Sequence, residues 1–230
     1  MENLTQFKQR INAFIWNSIP QDKLETSKGL CGKINGCGEP IPFFGNTIVF
    51  PLENAIKKQL ADLQRQLYDA CGEMLAYPLL KDSFHITLHD LLSGTDSAIL
   101  NEASDMRKPA LKLCKEISNE NHVICLRSTA MFNMVNTSIV LGFEPVDEES
   151  CGALMESYEK LQKLVRLDYP LTPHVTMAYF KPGVYYANQL NNLKNVIDKI
   201  NGYEKLDVIL NTGGIEYQEF ASMTEYYTFR

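Results

Sequence analysis

Phe84-His85-Ile86-Thr87-Leu88 and His174-Val175-Thr176-Met177-Ala178 are the stretches on which the fold of this chain turns. Both are short apolar runs with strand character. Side chains i and i+2 of a strand leave the same face. His85 therefore points with Thr87, and His174 with Thr176. The motifs lie 89 residues apart and hold two of the four histidines in the 230-residue chain. A lone His-x-Thr is more often an ordinary strand histidine. Two in matching contexts point to two halves of one acid–base site.

The surroundings repeat as well. Asn46-Thr47-Ile48-Val49-Phe50 and Asn136-Thr137-Ser138-Ile139-Val140-Leu141 are both short β-branched runs. Asn46 precedes His85 by 39 residues, and Asn136 precedes His174 by 38. Between them lie helical patterns. Over 54–71, Ile56, Leu60, Leu63, Leu67 and Ala70 recur at spacings of three and four. Over 147–167, Leu154, Tyr158, Leu161, Leu164 and Val165 share a face, and Asp147, Glu148 and Glu149 occupy the first turn, where the helix dipole favours negative charge. Further helices are expected over 101–118 and 187–201, and strands over 122–128 and 206–211. Each half reads β-α-β-α-β. The expected fold is α+β, two duplicated lobes with antiparallel-rich sheets, related by a pseudo-two-fold axis and separated by a central cleft. The connection lengths do not suit a doubly wound parallel sheet.

The lobes are placed at about 46–132 and 133–230. No Pro/Gly/Ser-rich linker divides them, so one two-lobed domain is expected. Residues 1–45 stand outside the repeat. Phe7, Ile11, Phe14 and Ile15 mark an amphipathic helix over 4–17, and 21–45 is a Gly- and Pro-containing loop. This segment either caps the core, the favoured reading, or covers the cleft.

No apolar run is long enough to span a membrane, and the first residues lack a signal-peptide pattern. A cytoplasmic protein is expected, its six cysteines free thiols. Cys31 and Cys37 are too far apart for a zinc knuckle. The net charge of −6, without a dense basic run, argues against binding DNA or long RNA. It is compatible with a small phosphodiester or an RNA end held in a local cleft. The oligomeric state is not legible.

Two histidines and two hydroxyls suit phosphoryl transfer without a metal or other cofactor. One imidazole takes a proton from the attacking oxygen and the other gives one to the leaving oxygen. Thr87 and Thr176 donate to the non-bridging phosphate oxygens. Around this set, His89 and Phe180 share strand parity with the motif histidines. His89 reads as a rim residue and Phe180 as a stacking surface or a core residue. Asn46 and Thr47 read as cleft floor or as the end of a turn. Tyr179, of opposite parity, is expected to face the helices, and His122 to be structural. Lys81, Arg127 and Lys181 are either cleft-mouth cations or solvated surface.

The paired His-x-Thr strands, each followed by an apolar residue (Leu88, Met177), within a duplicated β-α-β-α-β layout, resemble the 2H phosphoesterase superfamily over roughly residues 45–220. The stretch Lys33-Ile34-Asn35 to Pro42-Phe43-Phe44-Gly45-Asn46-Thr47 is similar to the segment before the first strand in a less characterised bacterial branch. The resemblance implies a hydrolase that cleaves 2′,3′-cyclic phosphates, 2′-5′ links or ADP-ribose 1″,2″-cyclic phosphate, with His85, Thr87, His174 and Thr176 as the catalytic set. Three rivals stand beside it: a nucleotide-binding module without chemistry, an RNA-processing partner without independent catalysis, and a metal-dependent hydrolase using His85, His89 and His174.

Overall fold

The computed structural model describes residues 2–16 and 18–230. Met1, and Asn17 at the end of the expected first helix, lie outside the described residues. Helix α1 (Leu4–Ile15) opens on a capping box, in which the Asn3 side chain accepts from the Gln6 N–H and the Gln6 side chain accepts from Asn3. The elements then run β1 (Lys23–Glu25), β2 (Phe44–Pro51), α2 (Asn54–Cys71), β3 (His85–Gly94), α3 (Ile99–Ser118), β4 (Val123–Met134), β5 (Ser138–Pro145) and α4 (Glu148–Leu161). They continue with β6 (His174–Tyr179), β7 (Val184–Tyr186), α5 (Ala187–Asn201), β8 (Asp207–Asn211), β9 (Glu216–Ser222) and β10 (Glu225–Phe229).

Two four-stranded antiparallel sheets result, ordered β10-β9-β2-β3 and β6-β5-β4-β8. The equivalent His-x-Thr strands, β3 and β6, are the edges at which the two sheets meet. The fold is the expected α+β architecture, with β2-α2-β3-α3-β4 and β5-α4-β6-α5-β8 as the two runs.

The sheets do not follow the division at residue 132. Strand β4 pairs with β5 through the three-residue connection 135–137 and lies in the second sheet, while β9 and β10, from the end of the chain, complete the first. The turn residues Val135 and Asn136 have φ of 45° and 58°, as a primed hairpin turn needs to match strand twist. Asn133 secures it, its Oδ1 accepting from the Asn136 N–H at 3.0 Å. What reads as a boundary between lobes is thus a tight hairpin inside one of them.

Helix α4 begins as expected, with Asp147 Oδ1 accepting from the Ser150 N–H at 2.8 Å. It ends six residues short of the expected 167. Gln162 Oε1 accepts from the Leu167 N–H at 2.8 Å and turns the chain, while Leu164, Val165 and Leu167 stay packed on the core. Helix α2 packs on α5 and β6, and α3 on β2 and β9. The N-terminal segment packs with Phe7, Ile11, Leu24, Leu30 and Ile34 buried in the core. It also pairs β1 with β7 and sends Arg10, Phe14, Lys33 and Phe43 to the cleft.

Candidate active site

The register of β3 and β6 decides what the cleft contains. In β3, Val49 lies opposite Thr87 while the next residue back, Ile48, lies opposite His89, so Leu88 is an extra residue. In β6, Val140 lies opposite Thr176 and Ile139 opposite Ala178, so Met177 is extra. Each motif is followed at once by a β-bulge, and the bulged residue is in both cases the apolar one after the threonine. A bulge reverses the alternation of faces beyond it. His85, Thr87, His174 and Thr176 remain half-buried on the cleft face. The residues that rejoin them are those five positions after each histidine, Asp90 and Tyr179.

This decides the placing of the neighbouring candidates. His89 does not form the rim. It is 1% exposed, its ring packs 5.2 Å from that of Tyr158, and neither ring nitrogen has a hydrogen-bond partner among the described residues. No group of three or more potential metal ligands gathers among the described residues, so a three-histidine metal set is not formed there. Phe180 is fully buried 6.0 Å from the Tyr185 ring, so its core reading holds and its stacking reading does not. Tyr179 faces the cleft rather than the helices. Asn46 and Thr47 line the floor of the cleft and, being buried, also hold the bulged strand in place. Asn46 Oδ1 accepts from the Leu92 N–H at 2.8 Å, its Nδ2 donates to the Tyr217 hydroxyl at 2.9 Å, and Thr47 Oγ1 donates to the His89 carbonyl at 3.1 Å. Beside them the backbones come so close that a Cβ on Gly45 would lie 2.2 Å from the Leu92 carbonyl oxygen.

Both histidines are oriented by the same device. His85 Nδ1 lies 2.7 Å from the Ser83 carbonyl, and His174 Nδ1 lies 2.6 Å from that of Thr172. A carbonyl only accepts, so each Nδ1 carries its proton and each Nε2 is the atom left for chemistry. Burial pushes both imidazoles below their ordinary pKa. The carbonyl bonds and the Asp90 carboxylate act in the opposite sense on both, while His174 and Lys57 lower His85 further.

The cleft encloses about 920 Å³. Asp90 is held by the Tyr169 hydroxyl, which donates to its Oδ2 at 2.9 Å. The Tyr226 ring meets His85 edge-on at 5.4 Å. Burial raises the Tyr179 and Tyr226 hydroxyls well above the ordinary phenol range, so both stay neutral. Of the cations suggested by the sequence, Arg127 is paired with Asp207 on the surface and Lys81 is exposed. Among the described residues the lysine that lines the cleft is Lys33, in the stretch before β2 where no periodicity marked it as a site residue.

Fold and site together define a two-lobed α+β protein with a symmetric histidine pair in its cleft. No family model and no curated protein matches the sequence. Among solved structures, the chain is similar to the conserved protein of unknown function ATU0111 from Agrobacterium tumefaciens str. C58, with a TM-score of 0.64 and 13% identity over 89% of this chain and 92% of that one. It is similar to TT0787 of Thermus thermophilus (TM-score 0.51, 14% identity, 81% and 95% of the chains). A weaker likeness is to E. coli LigT in apo form (TM-score 0.44, 12% identity, 83% and 96%). The first two likenesses are of fold. No helix among the described residues is long and apolar enough to cross a membrane.

Proposed function

We propose that this protein is a phosphodiesterase that opens or cleaves a small 2′-linked or 2′,3′-cyclic phosphodiester, in a nucleotide, an RNA end or an ADP-ribose cyclic phosphate, by metal-independent acid–base catalysis. The observation that carries the reading is the matched pair of Nδ1–carbonyl bonds, which leaves two Nε2 atoms available on facing strands beside two threonine hydroxyls. The His-x-Thr resemblance to 2H phosphoesterases supports it.

In the hydrolytic direction one Nε2 takes a proton from water as the water oxygen bonds to phosphorus. The other gives a proton to the ribose oxygen as its bond to phosphorus breaks. Thr87 and Thr176 hold the non-bridging oxygens, where charge is concentrated in the transition state. Lys57 disfavours a charge on His85 and has no counterpart among the groups acting on His174. Either histidine can hold the shared proton and act as the acid while the other acts as the base, with pKa values that belong to the pair.

The test is hydrolysis, in EDTA, of 2′,3′-cyclic mononucleotides, a 2′-5′ linked dinucleotide and ADP-ribose 1″,2″-cyclic phosphate. Turnover of at least one is expected, falling about 10²-fold or more in both His85→Ala and His174→Ala. Turnover that survives either substitution, or that EDTA abolishes, sinks the two-histidine mechanism.

A further inference from the structure

Two cationic side chains besides the histidines line the cleft, and they differ in state. Arg10 is neutralised by a bidentate pair with Glu2, at 2.9 and 2.7 Å. Lys33 has no carboxylate within salt-bridge distance and makes no side-chain hydrogen bond among the described residues. It lies half-buried, with Nζ 4.9 Å from the centre of the Phe43 ring. Burial lowers its pKa, and Asp90 opposes that fall. Asp90 lies beyond ion-pair reach of Lys33 and is held by Tyr169. The Phe43 face offsets part of the cost of taking this ammonium out of water, and no carboxylate among the described residues supplies the rest. A cation kept in that state on the wall of a substrate cleft is completed by an anion that the ligand brings.

The wall between this cation and the histidines is continuous. Phe43 stacks on Phe220 with centroids 6.1 Å apart and an interplanar angle of 12°. Phe220 meets Tyr226 at 5.4 Å, and Tyr226 meets His85 at 5.4 Å. A ligand lying along these rings has its reacting phosphate at the histidines and its far end at Lys33. We propose that Lys33 binds a second anionic group of the substrate, so that the phosphodiester handled here carries a further phosphate, terminal or bridging, on the far side of its ribose. This rests on the phosphodiesterase reading and narrows it, because an unphosphorylated cyclic mononucleoside leaves Lys33 without a partner.

The test compares adenosine 2′-monophosphate with adenosine 2′,5′-bisphosphate by calorimetric titration, so that binding is read without turnover. In the wild-type protein the second phosphate is expected to tighten binding about ten- to hundredfold, the range of a charge-assisted hydrogen bond. Lys33→Gln and Lys33→Met should each reduce that gain to about threefold or less, and Lys33→Arg should keep most of it. Two neutral variants are used so that a folding defect in one, read by circular dichroism, leaves the other decisive. The proposal is overturned if the wild type shows no gain, or if the gain is the same in both neutral variants. Turnover of 2′,3′-cyclic AMP and its 5′-phosphorylated form is read separately. A gain in binding that depends on Lys33, without turnover of these or of any other member of the panel above, removes the phosphodiesterase reading and leaves the anion site standing. Turnover without a Lys33-dependent gain does the reverse.

Discussion

Asn46→Ala separates a structural role at the bulge from a role in binding substrate. Asn46 is 1% exposed and makes two hydrogen bonds, from the Leu92 N–H at 2.8 Å and to the Tyr217 hydroxyl at 2.9 Å. Truncation leaves the Leu92 N–H without its acceptor on the bulged strand, at about 1–3 kcal/mol, and removes a further bond worth about 0.5–1.5 kcal/mol. The Tyr217 hydroxyl still donates toward the Ala103 carbonyl and Glu219, each at 3.0 Å, so the damage stays local. The expected loss is about 2–4 kcal/mol, or roughly 4–16 °C in Tm for a chain of this size. Urea unfolding followed by circular dichroism measures it, with kcat/KM taken well below the new midpoint. A loss under about 0.5 kcal/mol together with a large rise in KM would refute the reasoning, because it would mean that the side chain faces substrate.

Other outcomes follow from the same geometry. Phe180→Ala should cost about 3–5 kcal/mol of stability, since the side chain is fully buried; a variant of normal Tm with weakened nucleotide binding would return Phe180 to the cleft. The pH profile of kcat/KM should be bell-shaped, rising as the base loses its proton and falling as the acid loses its own. Burial lowers both imidazoles, so both limbs should lie below the ordinary histidine value of about 6.5. Asp90 favours the charged form of both, so Asp90→Asn should move both limbs to still lower pH; an unmoved profile would mean that Asp90 does not act on the pair.

The elements were legible wherever a period ran long enough to be read. The helical stretches read for α2, α3 and α5 match those helices to within two residues, and α4 overran because the apolar positions continue past Leu161, where the Gln162 side chain turns the chain. The pairing of strands was less accessible. A repeat in element order says nothing about which sheet a strand enters. Val135-Asn136 carries no glycine to mark a primed turn, so the hairpin that binds β4 to β5 looked like a division between halves.

That His85 and Thr87, and His174 and Thr176, share the cleft face was legible because parity holds over three residues. It fails at the fourth. An alternation argument assumes a regular ladder, and one extra residue in each strand moves His89 and Phe180 to the core and brings Asp90 and Tyr179 to the cleft. The repeat itself held a clue. Both bulges follow the threonine at once, so whatever stands five residues after one histidine is the counterpart of what stands five after the other. In this chain those counterparts are a carboxylate and a phenol. The scaffold is therefore symmetric at His85 and His174 and asymmetric one step further along each strand. That asymmetry sets one carboxylate against the single unneutralised lysine that lines the cleft among the described residues, and gives a cleft built on a pseudo-two-fold axis a direction in which to hold its ligand.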